Sequence, residues 1–121
     1  MFDHVALFVS DLDRSRRFYE QTLEPLGARV VMEFPGVVLF AAEEGGPMLG
    51  VRQAERELSP QHVAFRADRE TVNKFHEAAL AAGGGDNGAP GLRTHYHENY
   101  YAAYAHDPDG HNIEAVCHTP A

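Results

Sequence analysis

The chain has 121 residues, 44% of them hydrophobic, and a formal net charge of −8. That length supports one domain with a core of ordinary size, and the acidic balance argues against nucleic acid or an anionic membrane as a partner. No apolar run approaches the roughly 20 residues that span a bilayer, Asp3 and His4 interrupt any secretory leader, and the single cysteine, Cys117, precludes an internal disulfide, so a cytoplasmic protein is expected.

Residues 2–9 alternate in character. Val5, Leu7 and Val9 take one side and His4, Ala6 and Phe8 the other, which predicts a strand. Ser10 followed by Asp13 reads as a capping box opening a helix over 11–25, with Leu12, Tyr19, Leu23 and Leu26 as its apolar stripe. Pro25 and Gly27 mark its exit. Strands are expected at about 28–34, 37–42 and 47–53, separated by Pro35-Gly36 and Glu43-Glu44-Gly45-Gly46.

The second half repeats this order. A strand at about 61–67 precedes a helix over about 69–82, whose Val72, Phe75, Ala79 and Ala82 share a face. The segment Gly83 to Gly91 holds five glycines together with Asn87 and Pro90, which predicts a long flexible connection of the kind that often forms a lid. Strands then fit about 93–97, 100–106 and 112–118, with Asp107-Pro108-Asp109-Gly110 as a tight turn.

The two halves, about 1–57 and 58–121, are one unit written twice. His4-Val5-Ala6-Leu7-Phe8 is echoed by His62-Val63-Ala64-Phe65-Arg66, and Phe18-Tyr19-Glu20 by Phe75-His76-Glu77. Gly46-Pro47-Met48-Leu49-Gly50-Val51 lines up with Gly110-His111-Asn112-Ile113-Glu114-Ala115. Such a repeat brings equivalent side chains together, and the equivalent positions here hold His4, His62, Glu114 and Gly50. The chain has eight histidines, five of them from His95 to His118, and histidine is both the commonest metal ligand and the usual acid or base near neutral pH.

The β-α-β-β-β duplication, its initial histidines and the closing Asp107-Pro108-Asp109-Gly110-His111-Asn112-Ile113-Glu114 resemble the vicinal oxygen chelate superfamily. That group includes glyoxalase I, extradiol dioxygenases and bleomycin-resistance proteins, and the likeness runs from His4 to His118. It implies an α+β fold in which two β-α-β-β-β modules form a curved, cup-like mixed sheet with a metal on the concave face. His4 and His62 begin equivalent strands beside the small Ala6 and Ala64, and Glu114 shares a face with Asn112 and Val116. Two imidazoles and a carboxylate would suit a divalent ion, Fe, Zn, Mn or Ni, and leave positions open for water and substrate.

Gly50 stands where glyoxalase I enzymes carry a fourth ligand, so the set is closer to the three-ligand site of the extradiol dioxygenases. His97, Tyr104, Pro108, Gly110 and Glu114 follow that family's order, with Ala103 in place of a larger aliphatic. The resemblance implies acid–base catalysis by His97 and a hydrogen bond from Tyr104 to substrate oxygen. Several residues stay open to two readings. His95 and His97 are a second ligand pair or surface residues, and Tyr96, Tyr100, Tyr101 and Tyr104 stack on an aromatic ligand, supply hydroxyl donors or serve as strand formers. Arg66 and Arg93 neutralise an anionic substrate or face solvent. The expected function is a metal-dependent dioxygenase or lyase/isomerase acting on a small vicinally oxygenated compound. The alternative is a metal-free protein that sequesters a small molecule, as bleomycin-resistance proteins do. Open sheet edges and the habits of the superfamily predict a homodimer.

Overall fold

The computed structural model describes all residues, 1–121. The first half runs β1 (His4–Val9), α1 (Leu12–Thr22), a single 3-10 turn (Glu24–Leu26), β2 (Arg29–Phe34), β3 (Val37–Ala41) and β4 (Met48–Gln53). The second runs β5 (His62–Arg66), α2 (Arg69–Ala81), β6 (Gly85–Leu92), β7 (Tyr101–His106) and β8 (Asn112–Cys117). Each half builds its own four-stranded sheet, in the orders β1-β4-β3-β2 and β5-β8-β7-β6. The first strand lies parallel to the last, and the remaining pairs are antiparallel. Neither sheet closes, so β1 and β5 are both free edges.

Registers make the repeat exact in space. One row of the first sheet reads Ala6, Gly50, Leu39, Met32, and the equivalent row of the second reads Ala64, Glu114, Tyr104, Gly88. Strand alternation divides each sheet into a face that meets the helices and an open face. Leu7, Val9, Leu49 and Val51 join Phe18, Tyr19 and Leu23 on the helix side of the first half, and Ile113, Ala115 and Cys117 join Val72, Phe75 and Ala79 in the second. These side chains form a single buried cluster that continues from one half into the other.

Polar bonds lock the halves together. The buried Tyr19 hydroxyl donates to Asp107 Oδ2 at 2.6 Å, and burial followed by the Asp107 charge raises that phenol well above its ordinary value. Asp107 Oδ1 also receives the N–H groups of Asp109 and His111. Gln61 N–H donates to His111 Nδ1, so Nε2 carries the ring proton that bonds Phe8 O at 2.7 Å. Pro-Gly turn chemistry thus also serves to tie β8 to the first half.

Four expectations need correction. The helix expected over 11–25 ends at Thr22, and Pro25 initiates the separate 3-10 turn, since a proline lacks the N–H that a continuing helix needs. Its cap is Asp11, whose Oδ1 accepts the Arg14 N–H, while Ser10 bonds Asp109 instead. The segment expected to be a flexible connection is β6, an edge strand paired to β7 with two register shifts. Edge position tolerates Pro90, and the irregular register absorbs the glycines. Conversely, residues 93–97 belong to the β6–β7 hairpin loop, closed by Arg93 N–H donating to Tyr100 O at 2.7 Å.

Candidate active site on the open face of the second sheet

Glu114 is the centre of this face. Its neighbours Ile113 and Ala115 are held in the core, which directs the carboxylate to the opposite side of β8, and it is only 2% exposed there. A buried carboxylate is costly unless each oxygen has a partner. Here Oε1 lies 3.1 Å from His62 Nε2, and Oε2 accepts the Tyr100 hydroxyl at 2.5 Å.

His62 is oriented from behind. Its Nδ1 lies 2.8 Å from the Asn112 carbonyl, which can only accept, so Nδ1 carries a proton and Nε2 is aimed at Glu114. With a proton on Nε2 the two groups form an ion pair. Without it, an imidazole lone pair and a carboxylate oxygen converge on one point, and a ring N–H bound to a backbone carbonyl is how metal-ligating histidines are usually held. The pair therefore supplies two of the donors that a divalent ion needs, and no third stands beside them in this chain.

His4 is not in this group. It occupies the matching position on β1, the free edge of the other sheet, with Nδ1 2.6 Å from Asp3 Oδ1 and its side chain 58% exposed. Within one chain no cluster of three histidine, cysteine or acidic side chains could hold a metal. Gly50 sits in the row position of Glu114, beside Leu39 and Met32. The first sheet's open face carries exposed Phe8, Met32 and Phe34, so its character is apolar. Arg52, in the row of Phe8 and Phe34, adds a cation there, while carboxylate and hydroxyl chemistry belong to the second sheet.

Tyr104 lies directly across β7 from Glu114, with the Arg93 guanidinium 5.3 Å above its ring. Burial first, and then the Glu114 charge, raise the Tyr104 phenol above its ordinary value. His97 stands in the hairpin loop, where the Asn99 N–H donates to its Nδ1. Its Nε2 therefore carries the proton and bonds His118 Nδ1 at 2.7 Å. His95 packs against Tyr96 with tilted rings, 4.2 Å between centroids, and because both lie in the loop between β6 and β7, His95 and His97 share no strand face. Arg66 lies on the exposed side of β5 with His62 and Ala64. Tyr101 points to the helix side, donating to Asn73 and lying under Arg69.

The sequence offers Tyr100 only as one of four tyrosines open to several readings, and His118 only as one of five histidines near the end of the chain; the structure bonds Tyr100 to Glu114 and pairs His118 with His97. Strand alternation carries the signal for both. Tyr100, one residue before β7, continues the alternation of 102, 104 and 106, and His118, one residue past β8, continues that of 112, 114 and 116.

The profile of known sequences that matches residues 1–115 is that of the Glyoxalase/Bleomycin resistance protein/Dioxygenase superfamily. The chain belongs to this superfamily. Within the glyoxalase group, a glyoxalase/bleomycin resistance protein from Albidiferax ferrireducens is 29% identical, with 99% of each chain covered and a TM-score of 0.83. The fold is also shared with a lactoylglutathione lyase from Agrobacterium tumefaciens, at 20% identity over 97% of this chain and 92% of that one, TM-score 0.71. An oxidase shares it at 22% identity over 99% and 94% of the chains, TM-score 0.71. No curated protein matches it in sequence. This glyoxalase-superfamily scaffold carries lyase and oxidase chemistry in those neighbours, and fold alone does not choose between them.

Proposed function

We propose that the protein is a metal-dependent enzyme acting on a small vicinally oxygenated compound, by dioxygenase-like or lyase/isomerase chemistry. The observation that carries this reading is the convergence of His62 Nε2 and Glu114 Oε1 at 3.1 Å, with His62 oriented by the Asn112 carbonyl. His62 and Glu114 would hold an Fe, Zn, Mn or Ni ion, with His4 of the partner subunit completing the set in a homodimer. The free β1 and β5 edges support that assembly, as does the mainly apolar groove of about 540 Å³ between Val5, Met48 and β5. When bound, a divalent ion supplies Lewis-acid stabilisation of charge developing on substrate oxygen.

The chain's own groups do the rest. Tyr104 would donate a hydrogen bond to a substrate oxygen, since its raised phenol stays protonated at neutral pH. His97 would handle the proton after releasing His118, because both its ring nitrogens are engaged in the resting arrangement. Apo hydrogen bonds of catalytic groups commonly rearrange on substrate binding. A cytoplasmic setting fits the lone thiol and the absence of any helix long and apolar enough to cross a membrane.

A second reading has its own support. His62 and Tyr100 already satisfy both Glu114 oxygens, so the buried carboxylate is stable without a cation, as a metal-free sequestering protein would require. Elemental analysis of untagged, anaerobically purified protein beside His62→Ala separates the two. Stoichiometric metal that vanishes in the variant supports the enzyme. No metal after reconstitution sinks that reading and leaves the binding protein.

A further inference from the structure

Arg93 is a half-buried cation without an acid on the open face of the second sheet. It makes no ion pair with any carboxylate of the chain. The acids around it are committed elsewhere, Glu114 to His62 and Tyr100, and Asp86 to His76 and the Gly88 N–H. We propose that Arg93 is a subsite for a carboxylate group of the small molecule bound on this face, so that the substrate is an anion. The inference rests on the reading that this face receives the substrate, and it needs no metal.

The guanidinium is seated. Backbone bonds fix the residue on both sides, its N–H donating to Tyr100 O at 2.7 Å and its carbonyl accepting the Tyr96 N–H at 3.0 Å. The side chain turns back over β6, where Nη2 donates to Ala89 O at 2.8 Å, and Cζ stands 5.3 Å from the centre of the Tyr104 ring. Two glycines make the room it occupies. A Cβ on Gly88 would lie 3.1 Å from Nη2 and 2.9 Å from Tyr104 Cδ1, and one on Gly91 would lie 3.1 Å from Nη1. Gly88 is in register with Tyr104 and Gly91 with Ala102, so this notch opens on the face of β7 that looks toward Glu114.

A guanidinium carries five N–H donors in a rigid fork, and Arg93 spends one bond on Ala89 O. The fork matches a carboxylate with two parallel hydrogen bonds, and a fork already held in place loses less freedom on making them. A single cation balances a single negative charge, which favours a carboxylate over a doubly charged phosphate. Attraction by the whole molecule cannot supply such a preference, because the chain's net charge is −8 and repels anions. From Gly88 the row runs through Tyr104 to Glu114. A carboxylate on Arg93 therefore lays the ligand's other oxygens toward the Tyr104 phenol and the buried acid.

The test is isothermal titration of the full chain with salicylate and with salicylamide, its uncharged analogue, at pH 7. EDTA is present so that no metal captures the carboxylate. Wild type is expected to bind salicylate about tenfold or more tighter than salicylamide. Arg93→Gln, shown folded by circular dichroism, should lose that preference while its salicylamide affinity stays within about threefold of wild type. Arg17→Gln, on the exposed side of α1, removes the same unit of charge and should keep the preference. An undiminished preference in folded Arg93→Gln would overturn the inference, as would an equal loss in Arg17→Gln. Should Arg93→Gln not fold, Arg93→Lys keeps the charge without the fork. It is expected to lose at least about threefold in salicylate affinity, and wild-type affinity there would overturn the inference. Equal wild-type affinity for the two probes would remove the anion subsite and leave this face as the substrate's site. Binding of neither would overturn both.

Discussion

Glycine at position 50 leaves the first sheet without a counterpart to Glu114, and space does not explain its presence. A Cβ built there meets Ala6 Cβ and Val5 O at 3.5 Å, which is ordinary contact. Gly50→Glu is therefore expected to fold, with a melting temperature below wild type because its carboxylate stands beside the apolar Leu39 and Met32. If the site is completed across a dimer, the new carboxylate comes from the same sheet as His4. Divalent-metal affinity should then rise about tenfold or more, ~1.4 kcal/mol. Isothermal titration with Zn²⁺ measures it, and unchanged affinity in a folded variant would count against a shared site. The same position shows how a residue is legible while its setting is not. Alignment of the repeats pairs Gly50 with Glu114, but the apolar Leu39 and Met32 beside it enter the row only through β3 and β2.

At the scale of elements, helix α2 illustrates both capping and close approach. Asp68 Oδ1 accepts the Thr71 N–H at 2.8 Å, and this backbone bond lowers the Asp68 carboxyl below its ordinary 3.8. A lowered folded-state value stabilises the protein above the ordinary carboxylate range, and that contribution is lost as pH falls through the lowered value. Asp68→Ala should consequently melt earlier than wild type in urea at pH 7. The gap should close as pH is taken well below 3.8, and a pH-independent gap would refute the capping account.

Just past the other end of α2, a Cβ on Gly84 would lie 2.8 Å from Ala79 O, His106 O and the Phe18 ring at once. Two of these are backbone, so nothing there yields cheaply. Gly84→Ala should cost about 1–3 kcal/mol or more, measurable by chemical denaturation. The elements themselves were largely readable, because alternation and the 3.6-residue period are local. β6 was not, because Gly85-Asp86-Asn87-Gly88-Ala89-Pro90-Gly91 has no intrinsic preference for a strand. It becomes one because β7 offers an unpaired edge beside it.

For the whole molecule, the decisive property is that both sheets are open and that their histidines stand on the free edges β1 and β5. The expected ligand triad divides accordingly, with His62 and Glu114 together and His4 elsewhere. A homodimer that brings His4 to the partner's sheet predicts that metal binding is coupled to association. Sedimentation of metal-loaded protein over a dilution series should show metal lost as the dimer dissociates. A monomer that keeps its full metal content would refute the shared site.

The amino-acid sequence by itself determined the duplicated β-α-β-β-β order, which face of most strands and helices is apolar, and the equivalence of His4 with His62 and of Gly50 with Glu114. These follow from periods of two and 3.6 residues and from self-similarity, all of which are written along the chain. Only the tertiary structure decided that Tyr100 bonds Glu114, that His97 pairs with His118, and that His4 stands apart. Those contacts join residues whose separation in sequence carries no period. Strand pairing, the hairpin loop's closure and the packing of the helices determine which of them meet.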